Sequence, residues 1–374
     1  MRVAVTESRN VGLDACRALA IVLVVFSHGA GYLDPLFPDA IARLTRVGFI
    51  GVELFFVLSG FLIGRMLLRS AGESHGSWFG TFYLRRLFRT LPSYVLFLGL
   101  NIALGYLLLR PPVPEDFWRY VIFIQNAISP HPKFFPEAWS LAIEELFYIG
   151  FPLSYLVISW VLGINRRTAM LVTALAVMAG SLLARGSLVS DTVSWDEEVR
   201  KVAVFRFDGL MVGVLLAWLH ETQAWIFKKK TVASLLTALL LLCGLYVALL
   251  PMEAMAASFF NRTFLFTFTS FGCAGVVIAS LDLKLPSGLE RAVSQLAKIS
   301  YSAYLVNLPV LIVLNQFVVN DGIAGMLWFL VFHLATFLLA LVLYQRYELV
   351  FYRIRDHYVP KRERTDHLQV PLAA

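Results

Sequence analysis

The sequence has 374 residues, of which 59 % are hydrophobic and only 15 % are charged. Soluble domains carry about 25 % charged residues, so this composition excludes an ordinary soluble enzyme and a disordered chain and indicates a protein embedded in lipid. The net charge of +7 is assigned to membrane topology rather than to nucleic-acid binding, because basic residues collect in cytoplasmic loops. The three cysteines lie in apolar stretches and predict no disulfide framework.

Stretches of about 20 mostly apolar residues predict the spanning helices. On this rule the sequence predicts an all-α polytopic membrane protein, a bundle of about ten transmembrane helices. With the amino terminus in the cytoplasm, most of the 32 Lys and Arg residues fall in cytoplasmic segments, so both termini are predicted to be cytoplasmic. The predicted spans are 13–33, 47–68, 91–109, 138–162, 168–185, 202–219, 231–250, 262–281, 299–319 and 324–345.

No repeat of fixed period and no low-complexity linker divides the chain. We therefore predict one transmembrane domain over residues 1–345 and a cytoplasmic polar tail over residues 346–374. Residues 110–137 combine prolines with a short apolar stretch and predict a re-entrant or interfacial segment. Residues 18–26 could also form the apolar region of a signal peptide, although the many spans that follow favour an uncleaved first helix.

Arg17 and His28 are basic side chains within the first predicted span. On a helix they share one face and lie roughly 16 Å apart along its axis. Ionisable groups inside a membrane are costly and usually face a partner or a water-filled cavity. Because histidine exchanges a proton near neutral pH, His28 is a candidate general base, and a hydrogen-bonded packing role is the alternative.

Three arginines, Arg85, Arg86 and Arg89, stand at the predicted cytoplasmic start of the third span. Arg86 and Arg89 are three residues apart and therefore share a helix face. Such a pair can hold phosphate groups through forked hydrogen bonds. Anchoring of the membrane topology alone would also explain these residues.

Acidic residues occur in the second and fourth predicted spans. Glu53 lies near the outer face in the block GVELFFVLSGFLIG, whose glycines predict a packing seam. Glu144 and Glu145 lie in the block WSLAIEELFY, and at least one should face a cavity, because adjacent helical positions point about 100° apart. A structural ion pair with an arginine such as Arg206 is the alternative. Trp139 begins this block. It is predicted to belong to an aromatic belt at the membrane interface or to stack on a sugar ring.

Polar residues also occur in two later spans. Arg206 and Asp208 are two residues apart and do not face each other on a helix, so each is predicted to pair elsewhere in a structural network. In the block ISYSAYLVNLPV, Tyr304 and Asn307 share a helix face. His333 is assigned to packing. The sequence contains no phosphate loop, zinc-binding spacing or nucleophile elbow, and no metal site is predicted.

Together these blocks resemble the acyltransferase-3 family of integral membrane acyltransferases over residues 13–345. Arg17 and His28, with ten residues between them, resemble the best-known signature of that family. GVELFFVLSGFLIG, the R-x-x-R pair, WSLAIEELFY and ISYSAYLVNLPV resemble four further blocks in the same order. Asn307 stands where many members have histidine, and Glu53 stands where aspartate is common.

The resemblance implies transfer of an acyl group, usually acetyl from acetyl-CoA, to a hydroxyl of a carbohydrate or glycosylated acceptor at a bacterial inner membrane. Acyl-CoA is then a substrate, and no permanently bound cofactor is expected. Direct transfer and an acyl-His28 intermediate both stay open, and Glu144 is expected to orient the imidazole or to hydrogen-bond the acceptor. The implied roles are catalysis by His28 and Glu144, acyl-CoA binding by Arg17, Arg86 and Arg89, and acceptor binding by Trp139, Glu53, Ser140, Tyr304 and Asn307.

Two other classes of function stay open. A bundle with buried arginine, glutamate and histidine could be a secondary transporter for a polar or acylated solute, which would move solute without consuming acyl-CoA, although such folds often contain internal repeats. A non-catalytic assembly partner of a polysaccharide export machine would show neither turnover nor CoA binding. The sequence also leaves the oligomeric state open, with a homodimer as one option.

Overall fold

The computed structural model describes residues 10–37, 43–45, 47–69, 77–108, 113–189, 194–223, 230–318 and 322–359. All regular secondary structure within these residues is helical, which confirms the predicted all-α class. The α-helices are α1 (Val11–Gly29), α2 (Phe49–Arg69), α3 (Ser77–Leu107), α4 (Trp118–Val121), α5 (Ala138–Leu162), α6 (Arg166–Leu188), α7 (Phe207–Thr222), α8 (Lys230–Leu249), α9 (Met252–Ala257), α10 (Phe259–Thr263), α11 (Leu265–Ser280), α12 (Ser287–Leu314), α13 (Gly322–Leu343) and α14 (Leu349–Tyr358). Short 3₁₀ or π segments occupy Ala30–Leu33, Trp195–Arg200, Ala203–Phe205 and Tyr344–Glu348.

Within the described residues, eight helices are long and apolar enough to cross a membrane. These helices indicate an integral membrane protein. The other two predicted spans, 202–219 and 262–281, coincide with α7 and α11, which have 16 residues each. The count of ten spans and the cytoplasmic position of the termini therefore stay predictions.

Helix α3 begins well before residue 91, the predicted start of the third span, and contains Pro92 in its interior. Pro92 has no N–H to donate to the carbonyl four residues earlier, so the helix has one backbone hydrogen bond fewer here. Two hydroxyl groups from other segments contact carbonyls close to this proline. The Tyr301 hydroxyl donates to the Thr90 carbonyl at 2.8 Å, and the Tyr347 hydroxyl donates to the Pro92 carbonyl at 3.1 Å. The three arginines predicted at the start of this span therefore lie inside a continuous helix.

The last long helix continues beyond residue 345, because α13 passes through the π segment into α14. Glu348 in the π segment is buried and accepts hydrogen bonds from Ser93, Ser302 and Tyr352. The first residues of the predicted tail thus pack into the helical bundle. The remainder of that tail, residues 360–374, lies outside the described residues.

Helices α2 and α7 pack against each other at Gly60 and Gly213. A Cβ atom at either glycine would overlap the backbone of the opposite helix. The predicted packing seam is confirmed at Gly60, since only glycine permits this approach. Helix α1 packs against α2 and α12, and this arrangement holds its histidine and arginine inside the bundle.

Two ion pairs form a buried network where α2, α6, α7 and α11 meet. Arg206 pairs with Glu53, and Arg185 pairs with Asp208 at 2.8 Å. No side chain of this buried network is more than 1 % exposed. Arg206 and Asp208 thus pair elsewhere, as predicted. The acidic partner of Arg206 is Glu53, so the alternative of an ion pair between Arg206 and one of the α5 glutamates does not apply. Arg185, the last residue of a predicted span, is also buried.

Candidate active site

A cavity of about 340 Å³ lies beside the last turn of α1 and includes His28, Trp139 and Tyr304 in its wall. Two residues of the π segment between α6 and α7, Asp196 and Arg200, also line it. We call it the histidine cavity. Its volume falls in the range of about 300–1,000 Å³ that small-molecule sites occupy, so it can admit part of a ligand beside the imidazole.

The hydrogen bonds around Asn307 fix the protonation pattern of His28. The Asn307 side-chain NH₂ donates to the carbonyls of Ala303 at 3.1 Å and Tyr304 at 2.6 Å. Its Oδ1 atom therefore faces the imidazole and lies 2.5 Å from Nδ1 of His28. Because an amide oxygen only accepts hydrogen bonds, Nδ1 carries a proton, and Nε2 has a free lone pair whenever the imidazole is neutral. In that form His28 can accept a proton at Nε2.

Charged and aromatic side chains face the imidazole from the other side of the histidine cavity. The Arg200 guanidinium lies 4.7 Å from the centre of the Trp139 ring and 2.5 Å from Asp196. Lys201 contacts the same carboxylate at 2.8 Å. Burial alone would raise the pKa of Asp196, but the two cations outweigh this effect and hold that pKa well below its usual range. Asp196 therefore stays ionised at neutral pH.

A second, smaller cavity of about 120 Å³ lies among α1, α2, α3, α5 and α12. Arg86 forms an ion pair with Glu144 at 3.2 Å, and its guanidinium lies 3.2 Å from the centre of the Tyr148 ring. Glu144 also accepts hydrogen bonds from Tyr148 at 2.5 Å and from Ser59 at 3.2 Å. We call this space the arginine cavity, because Arg17 and Arg89 line it as well.

Both adjacent acids of α5 line the arginine cavity, so the prediction that at least one faces a cavity is confirmed. Glu145 lies 3.9 Å from Arg86 and accepts a hydrogen bond from Thr90 at 3.2 Å. The predicted alternative of an ion pair also applies to Glu144, with Arg86 as the partner. One arginine therefore serves two carboxylates while remaining in contact with open space.

Tyr304 and Val52 line both cavities and form the wall between them. The Tyr304 hydroxyl lies 2.5 Å from Ser140, which faces the arginine cavity. It also donates to the Glu137 carbonyl at 3.2 Å, and Glu137 faces the histidine cavity. A single hydroxyl group thus connects the polar linings of the two cavities.

Two predicted contacts differ from the structure. Glu144 does not orient the His28 imidazole, because it pairs with Arg86 in the other cavity while Asn307 holds the imidazole. Glu53 belongs to the buried network, where its carboxylate accepts hydrogen bonds from Arg206 and Ser270. It lines neither cavity, so the geometry argues against direct contact between Glu53 and an acceptor.

The other predicted site residues fall into two groups. Around the arginine cavity the structure brings together Arg17, Arg86, Arg89, Ser140, Glu144 and Tyr304. Around the histidine cavity it brings together His28, Trp139 and Tyr304, with Asn307 behind the imidazole.

Sequence reasoning missed Asp196, Arg200 and Lys201. They lie in the charged stretch WDEEVRK between two predicted spans, which indicated an exposed outer loop. The spacing of Asp196 and Arg200 predicts a helical ion pair, but no local signal brings the pair against Trp139. Tyr148 and Ser59 were also missed, because each looks like an ordinary packing residue until Glu144 is seen beside it.

Comparison with known proteins places these residues in a family context. The family model described as an acyltransferase domain, acyltransferase-3, matches residues 10–345. A provisionally named O-acetyltransferase from Staphylococcus aureus strain COL is 31 % identical over 170 residues, which is 42 % of this chain and 26 % of that protein. No solved structure matches the chain.

The O-acetyltransferase OatA of Staphylococcus aureus strain NCTC 8325 is similar over a longer range. It is 26 % identical over 335 residues, which cover 83 % of this chain and 52 % of OatA. The chain thus spans about half the length of OatA and about a quarter of the length of the strain COL protein. The similarity includes most of the membrane helices described above.

Proposed function

The chain belongs to the acyltransferase-3 family, and we propose that it moves an acyl group, with acetyl as the first candidate, from acyl-CoA to a hydroxyl of a carbohydrate or glycosylated acceptor. The similar proteins named as O-acetyltransferases support the reaction class. The proposal locates the protein in a bacterial inner membrane with both termini in the cytoplasm. The observation that carries it is the imidazole of His28 in a cavity, with a proton held on Nδ1 by the Asn307 oxygen.

His28 acts as the general base in this proposal. Its Nε2 atom takes the proton of the acceptor hydroxyl while the hydroxyl oxygen bonds to the carbonyl carbon of the thioester. The C–S bond then breaks, and the CoA thiolate receives the proton from the imidazolium. Asn307 acts as a positioning residue, because its oxygen accepts the Nδ1 proton and stabilises the imidazolium that forms.

The arginine cavity receives the donor. Acyl-CoA is a polyanion, and Arg17, Arg86 and Arg89 supply positive charge on the path toward His28. The ion pair between Arg86 and Glu144 keeps the guanidinium in place when no anion is bound. We assign Glu144 to this arrangement of the donor site rather than to the imidazole.

The wall at Tyr304 separates donor and acceptor. Its hydroxyl is hydrogen-bonded to Ser140, and the proposal requires one of these side chains to rotate so that an acyl chain can pass. The acyl group passes this wall while the nucleotide part of the donor stays on the arginine side. This route lets the protein acylate an acceptor on the outer side without moving CoA across the membrane.

The lining of the histidine cavity suits a hydroxyl-rich acceptor. Trp139 offers an aromatic face for a sugar ring, and Asp196 and Arg200 offer a hydrogen-bond acceptor and donor. Because the charged groups of the lining pair with each other, the cavity suits a polar ligand that is itself uncharged. We therefore propose a carbohydrate-type acceptor that meets the bundle at this cavity.

The proposal is tested with purified full-length protein in detergent and radiolabelled acetyl-CoA. We expect saturable binding and slow thioester cleavage by the wild type, and loss of cleavage with retained binding in His28→Ala. A well-folded wild type that neither binds nor cleaves acetyl-CoA or longer acyl-CoAs would overturn the proposal. Solute movement without acyl-CoA consumption would then identify a transporter.

A further inference from the structure

A third cavity, of about 830 Å³, lies beside the first turns of α1, at the opposite end of this helix from His28. We call it the basic vestibule. Its volume is within the range of sites that hold whole small molecules, about 300–1,000 Å³. One carboxylate, Asp14, and six cationic side chains line it, namely Arg17, Arg65, Arg69, Arg89, Lys298 and Arg355.

The basic vestibule adjoins the arginine cavity. Arg17, Leu62 and Arg89 line both spaces. A ligand seated in the vestibule can therefore extend an arm between Arg17 and Arg89 toward Tyr304. The two cavities have the shape expected for a wide head group followed by a narrow chain, because the vestibule is several times larger than the arginine cavity.

The positive charge of the vestibule is only partly neutralised by the protein. Arg65 and Arg69 share the carboxylate of Glu221 at 3.2 and 3.3 Å. Arg17 pairs with Asp14 at 3.2 Å, and Arg355 pairs with Asp356 at 2.9 Å. Among the described residues, no carboxylate forms an ion pair with Arg89 or Lys298. Like charges held together in this way repel one another. The excess charge predicts an anionic ligand with more than one phosphate group.

Aromatic rings lie within the same lining. The rings of Tyr344 and Tyr352 are 6.3 Å apart, and the Arg355 guanidinium lies 4.9 Å from the centre of the Tyr352 ring. All three residues face the basic vestibule. Tyrosine and arginine planes stack on the faces of nucleobases. The vestibule thus combines phosphate-binding cations with a stacking surface for a base.

We propose that the basic vestibule binds the adenosine 3′,5′-bisphosphate end of the donor. The phosphates contact Lys298, Arg89 and Arg355, the adenine lies against Tyr352, and the pantetheine arm extends past Arg17 into the arginine cavity. This inference rests on the proposed function, since it states where each part of acyl-CoA binds. It also selects free acyl-CoA over an acyl carrier protein, whose phosphopantetheine lacks the adenine and the 3′-phosphate.

The test uses adenosine 3′,5′-bisphosphate, which has no thioester, and the purified full-length protein. We expect the wild type to bind it, and Lys298→Gln and Arg355→Gln each to bind about tenfold more weakly, because each loses one charge-assisted contact. Arg291→Gln is the matched control, since Arg291 is an exposed cation of the same helix as Lys298 and does not line the vestibule. It should bind like the wild type.

A second measurement compares acetyl-CoA with acetyl-dephospho-CoA. We expect the wild type to prefer acetyl-CoA, and Lys298→Gln and Arg355→Gln to lose most of that preference in KM. Equal binding by wild type and both variants, or no nucleotide binding by a wild type that consumes acetyl-CoA, would overturn this inference and leave the proposed function standing. Nucleotide binding without any acetyl transfer would support the vestibule and overturn the proposed function instead.

Discussion

Two buried charge clusters in this protein contain the same residue types but differ in their surroundings. The buried network of α2, α6 and α7 is at most 1 % exposed and lines none of the three cavities described above. In the arginine cavity, the paired side chains of Arg86 and Glu144 are 19 % and 18 % exposed. Charge inside a membrane bundle therefore does not by itself mark a functional site. The arginine cavity differs from the buried network because its charged groups lie beside open volume that a ligand can enter.

The difference has a physical basis. A buried ion pair offsets the cost of desolvating its own charges only through close mutual contact. In the buried network, the arginines and carboxylates accordingly form hydrogen bonds with each other. Arg86 shares two carboxylates and an aromatic face but still contacts open space. It can therefore exchange a protein partner for a ligand anion. The comparison predicts stability effects at the first cluster and kinetic effects at the second.

The largest effect is expected in the buried network. Arg206→Met leaves Glu53 as an uncompensated buried charge and should lower the free energy of unfolding by about 3–5 kcal/mol. Adding Glu53→Met should restore much of the loss, because the pair is then replaced by apolar side chains. Denaturation of detergent-purified variants measures both. A double variant no more stable than Arg206→Met would contradict a structural role for the pair.

Arg86 provides the kinetic counterpart. Arg86→Gln should raise the KM for acetyl-CoA about tenfold while changing the free energy of unfolding by less than about 1 kcal/mol, because the pair is partly exposed. Arg85→Gln is the control, since Arg85 is the adjacent residue but pairs with Asp356 at 2.8 Å and lines none of the three cavities. Unchanged KM in Arg86→Gln would leave topology anchoring as its role.

Asn307 sharpens the comparison within the histidine cavity. Asn307→Leu removes the acceptor of the Nδ1 proton and should lower kcat about tenfold, with the KM for acetyl-CoA nearly unchanged. Asn307→Asp keeps an oxygen at this position and should retain more of the activity. Steady-state kinetics at saturating acceptor separates the two variants. Equal losses in both would show that the amide does not act through its oxygen.

The smallest expected effect is on the pH dependence of stability, and it comes from His131. This buried histidine lines none of the three cavities. Burial lowers the pKa of His131 to about 4, whereas an unfolded histidine titrates near about 6.5. As the pH falls between these values, the unfolded chain binds a proton that the folded chain does not, so stability present above about pH 6.5 is lost toward pH 4.

His131→Gln should reduce this acid-induced loss of stability. A glutamine amide can still donate to the Phe135 carbonyl that His131 contacts at 3.1 Å, and it does not titrate. Thermal unfolding of wild type and variant at pH 7 and pH 5 measures the change. An identical acid dependence in the two proteins would assign the effect to other groups.

The sequence was enough to predict the helical class and the residues that carry charge into the bundle. Arg17, His28, Arg86, Glu144 and Tyr304 were all selected because polar groups inside apolar helices need partners. Their assignment to cavities was not predictable, because it depends on which helices meet. Glu144 was expected to orient the imidazole, to hydrogen-bond the acceptor or to pair with an arginine, and the structure places it with Arg86.

Residues outside the apolar spans were the hardest to assign. Arg185 and Arg200 were not among the predicted site residues, yet Arg185 is buried and Arg200 lies over Trp139. Helix periodicity carries no information about how a segment between spans folds back onto the bundle. The early start of α3 was missed for a related reason, since Pro92 imitates a helix boundary until the hydroxyls that satisfy the nearby carbonyls are located.

The most direct measurement compares two histidine variants, His28→Gln and His131→Gln, in acetyl-CoA consumption per folded molecule. Both replace a histidine with the same amide, but of the two only His28 lines one of the three cavities described above. We expect His28→Gln to lose about 10²–10⁴-fold in turnover, as for removal of a general base, and His131→Gln to match the wild type. Wild-type turnover by a folded His28→Gln protein would contradict the account.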